Sequence, residues 1–303
     1  MNSVIFPGQG AQYSGMGKSL YENFSQAREI FSRADAVLGY GLSGKCFNGS
    51  EEELKDTALQ QVAILTVSLA AYEVFRSKNI VPSFFSGLSL GEYSCLYAAG
   101  VLDVEDLVLL VRERAMAMQR ACQIDPAAML AVMGMKHDDL RKKSQEEGFY
   151  LSNINSQDQI VVSLKKEDKD RVKTCLESCG AKVVELAVSG GFHSPFMETA
   201  RQHLELIIYK LDFHDAKIPI VSNVTAKGHT KKDELMSNLV RQLVSPVLWN
   251  DCVNYMAQNG VSLFYETGPS KVLRGLIRKI NPSLKVVNIE KKEDLDGLSG
   301  SLQ

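Results

Sequence analysis

The sequence predicts an α/β fold in which a small subdomain interrupts a larger body of strands and helices. Three observations carry that expectation. Short apolar strands alternate with helical runs towards both ends of the chain, the pattern of an α/β body. Residues 127–188 depart from it and read strand, helix, strand, strand, helix, strand, the ferredoxin-like order. Between the two, an apolar strand runs directly into Gly87-Leu88-Ser89-Leu90-Gly91 and then into a helix.

The chain opens on a strand, SVIF, followed by PGQGAQYSGMG, a glycine-rich loop. No Gly-Lys-Ser/Thr follows, so it is not a Walker loop. Helices are expected over 18–38 and 59–78. PSFFSG is a short strand leading to Ser89 and the helix of GEYSCLYAAG. Asp103 is a suitable N-cap for a helix over 104–121. Its apolar stripe is Leu107, Val111 and Met118, and Arg114 falls on the same stripe. An arginine on a buried face is costly unless paired. It is either a structural or snorkelling side chain, or a pocket cation awaiting an anionic substrate. AMLAVMG, HDDLRKKSQEE, FYLSNI, QIVVSL, KEDKDRVKTCLESC and KVVELAV then supply the six elements of the small subdomain. After GGFHSPFM come a helix to about 211, the strand IPIVSNV, and helices over 232–244 and 249–259. The end reads strand SLFYET, helix KVLRGLIRKI and strand KVVNI. The division is a large catalytic subdomain of 1–123 and 190–303, and a ferredoxin-like subdomain of 124–189.

Composition narrows the function classes. The chain has 303 residues, 45% hydrophobic and 23% charged, enough for a large core and ordinary for a soluble globular protein. A net charge of −2 gives no global pull towards nucleic acid. No apolar run approaching a membrane span and no signal peptide is read. The six cysteines are scattered without disulfide or zinc spacing, and Cys175 and Cys179 read as half-buried thiols. A reducing cytoplasm fits this usage. No metal is expected, and nothing demands more than a monomer.

Gly-x-Ser-x-Gly between a strand and a helix is the setting of a nucleophile elbow. The nucleophile's backbone is strained and neighbouring chains approach closely, so the flanking positions must lack side chains. Backbone N–H groups at the helix start can stabilise an oxyanion. A serine needs a base. Of the five histidines, His137 and His229 lie in polar, exposed-looking segments, and His203 and His214 lie in or just after a helix. His193 alone sits in a glycine-preceded turn at a helix start, where the dipole disfavours imidazolium. A capping or packing histidine remains equally open there. No carboxylate precedes His193 closely and the next is Glu198, so spacing names no orienting partner. FPGQG either delivers an N–H beside the elbow, completing an oxyanion hole with the Leu90 amide, or is a plain turn.

These stretches together resemble the malonyl-CoA:acyl carrier protein transacylases and the acyltransferase domains of polyketide synthases. The resemblance covers almost the whole chain, through FPGQG, GLSLGEYS, VRERAMAMQ, NINSQDQIVVS, GGFHSPFM, VSNV, VRQLVSPVLW and YETGPSKVL in the family's order. It implies a hydrolase-like parallel-sheet α/β domain with a ferredoxin-like insert. It makes Ser89 the acyl-carrying nucleophile and His193 its base. Gln242 would orient the histidine through its backbone carbonyl, and Gln9 and Leu90 would be the oxyanion-hole amides. Arg114 would grip the malonyl carboxylate, with Met118, Phe192 and Asn155 as further substrate-binding positions. Phe192 before the histidine resembles the malonyl-selective pattern. Malonyl-CoA would be the donor substrate, with no bound cofactor, and acyl carrier protein the acceptor, in fatty acid synthesis. Carrier proteins are acidic, so a basic docking face is expected, for which KVLRGLIRKI offers Lys271, Arg274, Arg278 and Lys279. Three positions depart from the family: Leu88 where histidine is common, Val62 where proline is common, and Leu248 where a polar residue is common. The alternatives are a stand-alone acyltransferase of a polyketide synthase, an acyl-thioester hydrolase, and a carrier-protein-binding scaffold with a dead site.

Overall fold

The first strand, β1 (Asn2–Phe6), is almost wholly buried, as a central parallel strand covered on both faces must be. The computed structural model in which it lies describes residues 1–188 and 190–298. The expected boundary residue 189 and the tail 299–303 fall outside the described residues.

Where one helix was expected over 18–38 there are two, α1 (Lys18–Asn23) and α2 (Ser25–Leu38), because Phe24 takes extended backbone between them (φ −131°, ψ 130°). A short α3 (Leu42–Asn48) follows, unannounced by the sequence because it buries just Leu42 and Cys46. Then comes α4 (Thr57–Arg76), which corrects the expectation that no apolar run nears membrane length. It is long and apolar enough to cross a bilayer, but it is buried from Gln60 to Phe75. It is the helix around which the main core packs, and Val62 is part of that core. Next are β2 (Phe84–Gly87), α5 (Leu90–Ala98) and α6 (Val104–Ile124). The Asp103 carboxylate accepts from the Asp106 N–H at 2.9 Å, the N-cap expected of it.

The small subdomain has the expected order: β3 (Ala127–Met133), α7 (His137–Glu147), β4 (Tyr150–Ser156), β5 (Gln159–Lys165), α8 (Lys169–Ser178) and β6 (Lys182–Glu185). Its strands form an antiparallel sheet ordered β4-β5-β3-β6. Leu130, Leu140, Val162, Val172 and Leu176 make its separate core.

The chain then returns to the large body through α9 (Glu198–Ile208), β7 (Ile220–Val221), β8 (Gly228–His229), α10 (Lys232–Gln242), α11 (Trp249–Gln258), β9 (Leu263–Thr267), α12 (Val272–Ile280) and β10 (Lys285–Ile289). The expected strand IPIVSNV shrinks to two residues, and the unexpected β8 pairs antiparallel with them. This draws His229 out of the exposed role read from its polar surroundings. It is half-buried and bonded to Thr225 and Glu234. The sheet order is β10-β9-β1-β2-β7-β8, parallel except at β8. Phe6 pairs with Gly87, so the loop after β1 and the turn after β2 leave the sheet side by side at its carboxyl end. All six cysteines are free thiols.

Candidate active site

Ser89 stands at φ 53°, ψ −101°, a conformation that costs a non-glycine residue about 1–3 kcal/mol and persists only where the surroundings over-determine it. Here they do. Its N–H donates to Asn223 Oδ1 at 2.7 Å and its carbonyl accepts from Gln242 Nε2 at 3.1 Å. The flanking glycines are required by close approach. A Cβ on Gly87 would stand 2.1 Å from the Gly91 carbonyl carbon, and one on Gly91 would stand 2.1 Å from the Phe6 oxygen. Both obstacles are backbone. Gly91→Ala is therefore expected to destabilise the fold by about 3 kcal/mol or more, read as a lowered urea midpoint; an unchanged midpoint would contradict this packing. The FPGQG loop does lie against the elbow, because a Cβ on Gly8 would meet the Leu88 oxygen at 2.2 Å. Among the described residues, neither the Gln9 nor the Leu90 N–H has a hydrogen-bond partner. Leu88, where the family commonly has histidine, packs its side chain against the apolar cluster of Ile5, Val221, Val247 and Trp249.

His193 is also held at positive φ, 58°. Its Nε2 lies 2.7 Å from Ser89 Oγ and its Nδ1 lies 2.8 Å from the Gln242 backbone oxygen. A carbonyl only accepts, so Nδ1 carries the proton and the Nε2 lone pair faces the serine hydroxyl. No carboxylate occupies the orienting position. Burial, and then the Arg114 cation, push the imidazole pKa down from 6.5 to about 4, against the opposing pull of the Gln242 carbonyl.

Arg114 is 1% exposed and has no ion-paired carboxylate among the described residues. Its Nη1 donates to Gln61 Oε1 at 2.5 Å, and its Nη2 to Ser89 Oγ at 3.0 Å and Gln242 Oε1 at 3.4 Å. The guanidinium lies 5.0 Å from the centre of the Tyr93 ring, a cation–π distance. Its Nε is buried without a partner among the described residues. Among the described residues Arg114 is neither ion-paired nor snorkelling, and its guanidinium faces the serine hydroxyl. Burial works against its charge, while Tyr93 and Glu92 favour it.

The other positions expected to bind substrate are more spread. Met118 lies beside Gln61, whose Nε2 is 3.5 Å from its sulfur. Phe192 is buried, its carbonyl accepting from Ser163 Oγ at 3.1 Å. Asn155 is buried, and its Oδ1 has no partner among the described residues. Its neighbours Ile154 and Ser156, not Asn155 itself, line a cleft of about 1090 Å3. That cleft runs along the small subdomain past Tyr150 to Leu248, and His193 lies on its wall. Arg274, Arg278 and Lys279 are exposed on α12, and Lys271 is exposed at its N-cap. Lys279 donates to Gln159 at 2.9 Å, next to Gln157 and Asp158 at the cleft.

Three residues of the site were not singled out in the sequence for it. Gln61 holds the arginine, Asn223 holds the nucleophile's amide, and Glu92 lies behind both Asn223 and Gln242. The Glu92 signal was present: it is a lone carboxylate in the apolar run LGEYSCLYA, the argument that picked out Arg114.

A parallel sheet that ends in a strained serine, with a neutral imidazole on its hydroxyl and a buried cation beside it, has the parts for serine-dependent acyl transfer. Residues 4–292 match a family model described as "Acyl transferase domain". The chain is 40% identical over 300 residues to the malonyl CoA-acyl carrier protein transacylase of Bacillus subtilis, covering 97% of this chain and 95% of that one. It superposes on the solved malonyl CoA-acyl carrier protein transacylase of Coxiella burnetii with a TM-score of 0.94 at 31% identity, covering 97% and 95% of the two chains. It also superposes, with a TM-score of 0.93 at 33% identity and 97% coverage of each chain, on a malonyl-transacylase solved in complex with a type II polyketide synthase acyl-carrier protein. The chain belongs to the malonyl-CoA:acyl carrier protein transacylase family of acyl transferases.

Proposed function

We propose that the chain moves a malonyl group from malonyl-CoA to the phosphopantetheine thiol of acyl carrier protein through an ester on Ser89. The observation that carries this reading is the Arg114 guanidinium 3.0 Å from Ser89 Oγ, buried and without a counter-ion among the described residues. A hydrolase for neutral acyl groups has no use for such a charge. A dicarboxylic acyl group supplies the missing anion, and the free Nε–H leaves a donor for one of its oxygens.

His193 Nε2 takes the Ser89 proton as Oγ attacks the thioester carbonyl. The N–H groups of Gln9 and Leu90 receive the oxyanion. The carbonyl re-forms, the C–S bond breaks, and coenzyme A leaves with the proton from His193. The carrier-protein thiol then attacks the ester, His193 acting again as base, and Ser89 recovers its proton. Met118, Phe192 and Asn155 shape the acyl site. The division at 123/124 and 189/190 puts the reaction groups on the large subdomain and much of the cleft wall on the small one. Every group invoked belongs to one chain, so a monomer suffices. The free thiols suit a reducing cytoplasm, and the product suits fatty acid synthesis. Assays of purified protein with a panel of carrier proteins and acyl-CoAs test this. Preference for a polyketide carrier protein would move the chain to that pathway, and transfer of acetyl as fast as malonyl would sink the malonyl assignment.

Two further outcomes are expected. His193 works as a neutral base, and protonation silences it only below its lowered pKa of about 4. The acid limb of kcat/KM for acylation, which reports the free enzyme, should therefore lie near pH 4. In Arg114→Ala, one of the two depressing influences is gone and the limb should move up. A wild-type limb at 6.5 would contradict this. Separately, Arg274→Glu with Arg278→Glu should raise the KM for carrier protein roughly tenfold at low salt, leaving acylation by malonyl-CoA unchanged. An unaltered KM would remove α12 from the docking face.

A further inference from the structure

The orienting group on His193 is a backbone carbonyl, which leaves open what fixes that carbonyl. The side chain of the same residue gives an answer. Gln242 Nε2 donates to Glu92 Oε2 at 2.7 Å as well as to the Ser89 carbonyl. The same Glu92 oxygen accepts the Asn223 N–H at 3.1 Å. Asn223 in turn takes the Ser89 N–H on Oδ1 and donates from Nδ2 to the Gly87 carbonyl at 2.7 Å. Both backbone polar groups of the strained serine are thus held by the two residues that Glu92 holds. One of those two also presents the carbonyl that orients the base.

We infer that Glu92 is the positioning residue of the site, tying Gln242 to Asn223 so that nucleophile and base stay in register. It touches neither substrate nor reacting atom. Glu92 is 2% exposed, deeper than any surface carboxylate, and burial raises its pKa against the bonds from Gln242 and Asn223. A carboxyl group in such a place is costly unless its bonds are satisfied. The bonds it accepts from Gln242 and Asn223 both lead to the elbow. The acid missing beside the histidine therefore stands one residue further back, acting through an amide side chain. Both bonds fall on a single oxygen, so what matters is the reach of an acceptor atom rather than the charge.

That distinction gives the test, which rests on the acyl-serine reading above. Glu92→Asp keeps the charge and withdraws the oxygen by one methylene. Glu92→Gln loses the charge and keeps an acceptor at full reach. Single-turnover acylation by malonyl-CoA is measured for both, with melting curves to establish that each is folded. Glu92→Asp should slow the acylation rate constant about 100-fold, the cost of a misplacement near 1 Å, with the half-saturating malonyl-CoA concentration within about twofold of the wild type because Arg114 is untouched. Glu92→Gln should stay within about threefold of the wild type in both quantities. Glu92→Asp acylating at the wild-type rate would overturn the inference. So would Glu92→Gln losing tenfold or more, and that result holds even if Glu92→Asp fails to fold. A wild-type enzyme that forms no Ser89 ester would instead overturn the acyl-serine reading itself.

Discussion

Ser89→Ala should form no covalent adduct with malonyl-CoA and should lose transfer by roughly a million-fold, the scale on which removing an activated serine silences a site. The effect is this large because no second nucleophile stands in its place. The cysteine on the same helix, Cys95, is fully buried, its thiol pKa is pushed well up by burial, and its sulfur is engaged with the Gly91 carbonyl. The fold itself should be little harmed. Alanine at a positive φ is strained as serine is, and Asn223 and Gln242 hold the backbone rather than the side chain. A melting temperature near that of the wild type together with absent labelling is the expected pair. Persistent labelling of the variant at another residue would remove Ser89 from the mechanism.

Arg114→Ala should cost malonyl transfer about 100- to 10,000-fold, as expected when one partner of a buried ion pair is removed and the other is left uncompensated. Acetyl transfer should change far less, so the ratio of malonyl to acetyl kcat/KM collapses. The guanidinium that donates to Ser89 Oγ withdraws electron density from the nucleophile when no carboxylate diverts it, so its removal offsets part of any loss in acetyl transfer. Specificity and restraint would then come from one side chain: the substrate's own anion draws the arginine off the serine. Steady-state kinetics with both donors, on protein shown to be folded, measures this. Equal losses for the two donors would mean that Arg114 supports the site's structure rather than reading the substrate.

The sequence makes some of this legible and hides the rest for physical reasons. The α/β body and the β-α-β-β-α-β insert are readable because each element announces itself locally, by strand-length apolar runs or helical stripes. The break at Phe24 is not readable, since no glycine or proline marks it. Its extended backbone is fixed instead by packing of a half-buried ring against the main core. The pair β7–β8 is two residues long on each side, below what any periodicity can signal. Within the site, Ser89 carries a local motif, His193 a glycine-led turn, and Arg114 stands out by being charged on an apolar stripe. Gln242 has no such signal, because it acts on the histidine through a backbone carbonyl that every residue possesses. The family resemblance, not the residue type, pointed to it. Asn223 meets Ser89 across 134 positions, a contact only the folded sheet creates. Met118 lies against Gln61, which holds Arg114, and Phe192 directly precedes His193, whereas Asn155 is buried and is not part of the cleft wall.

The proposed transfer turns on Ser89 carrying the malonyl group between two thiols. The measurement that decides it mixes the wild-type protein with malonyl-CoA alone, quenches, and maps the adduct by peptide mass spectrometry, then repeats with holo carrier protein added before the quench. One malonyl group is expected on the peptide containing Ser89, long-lived without acceptor and passed to the carrier-protein thiol at least as fast as steady-state turnover. No adduct on that peptide, or an adduct lost to water as quickly as to the carrier protein, would contradict the proposed transfer.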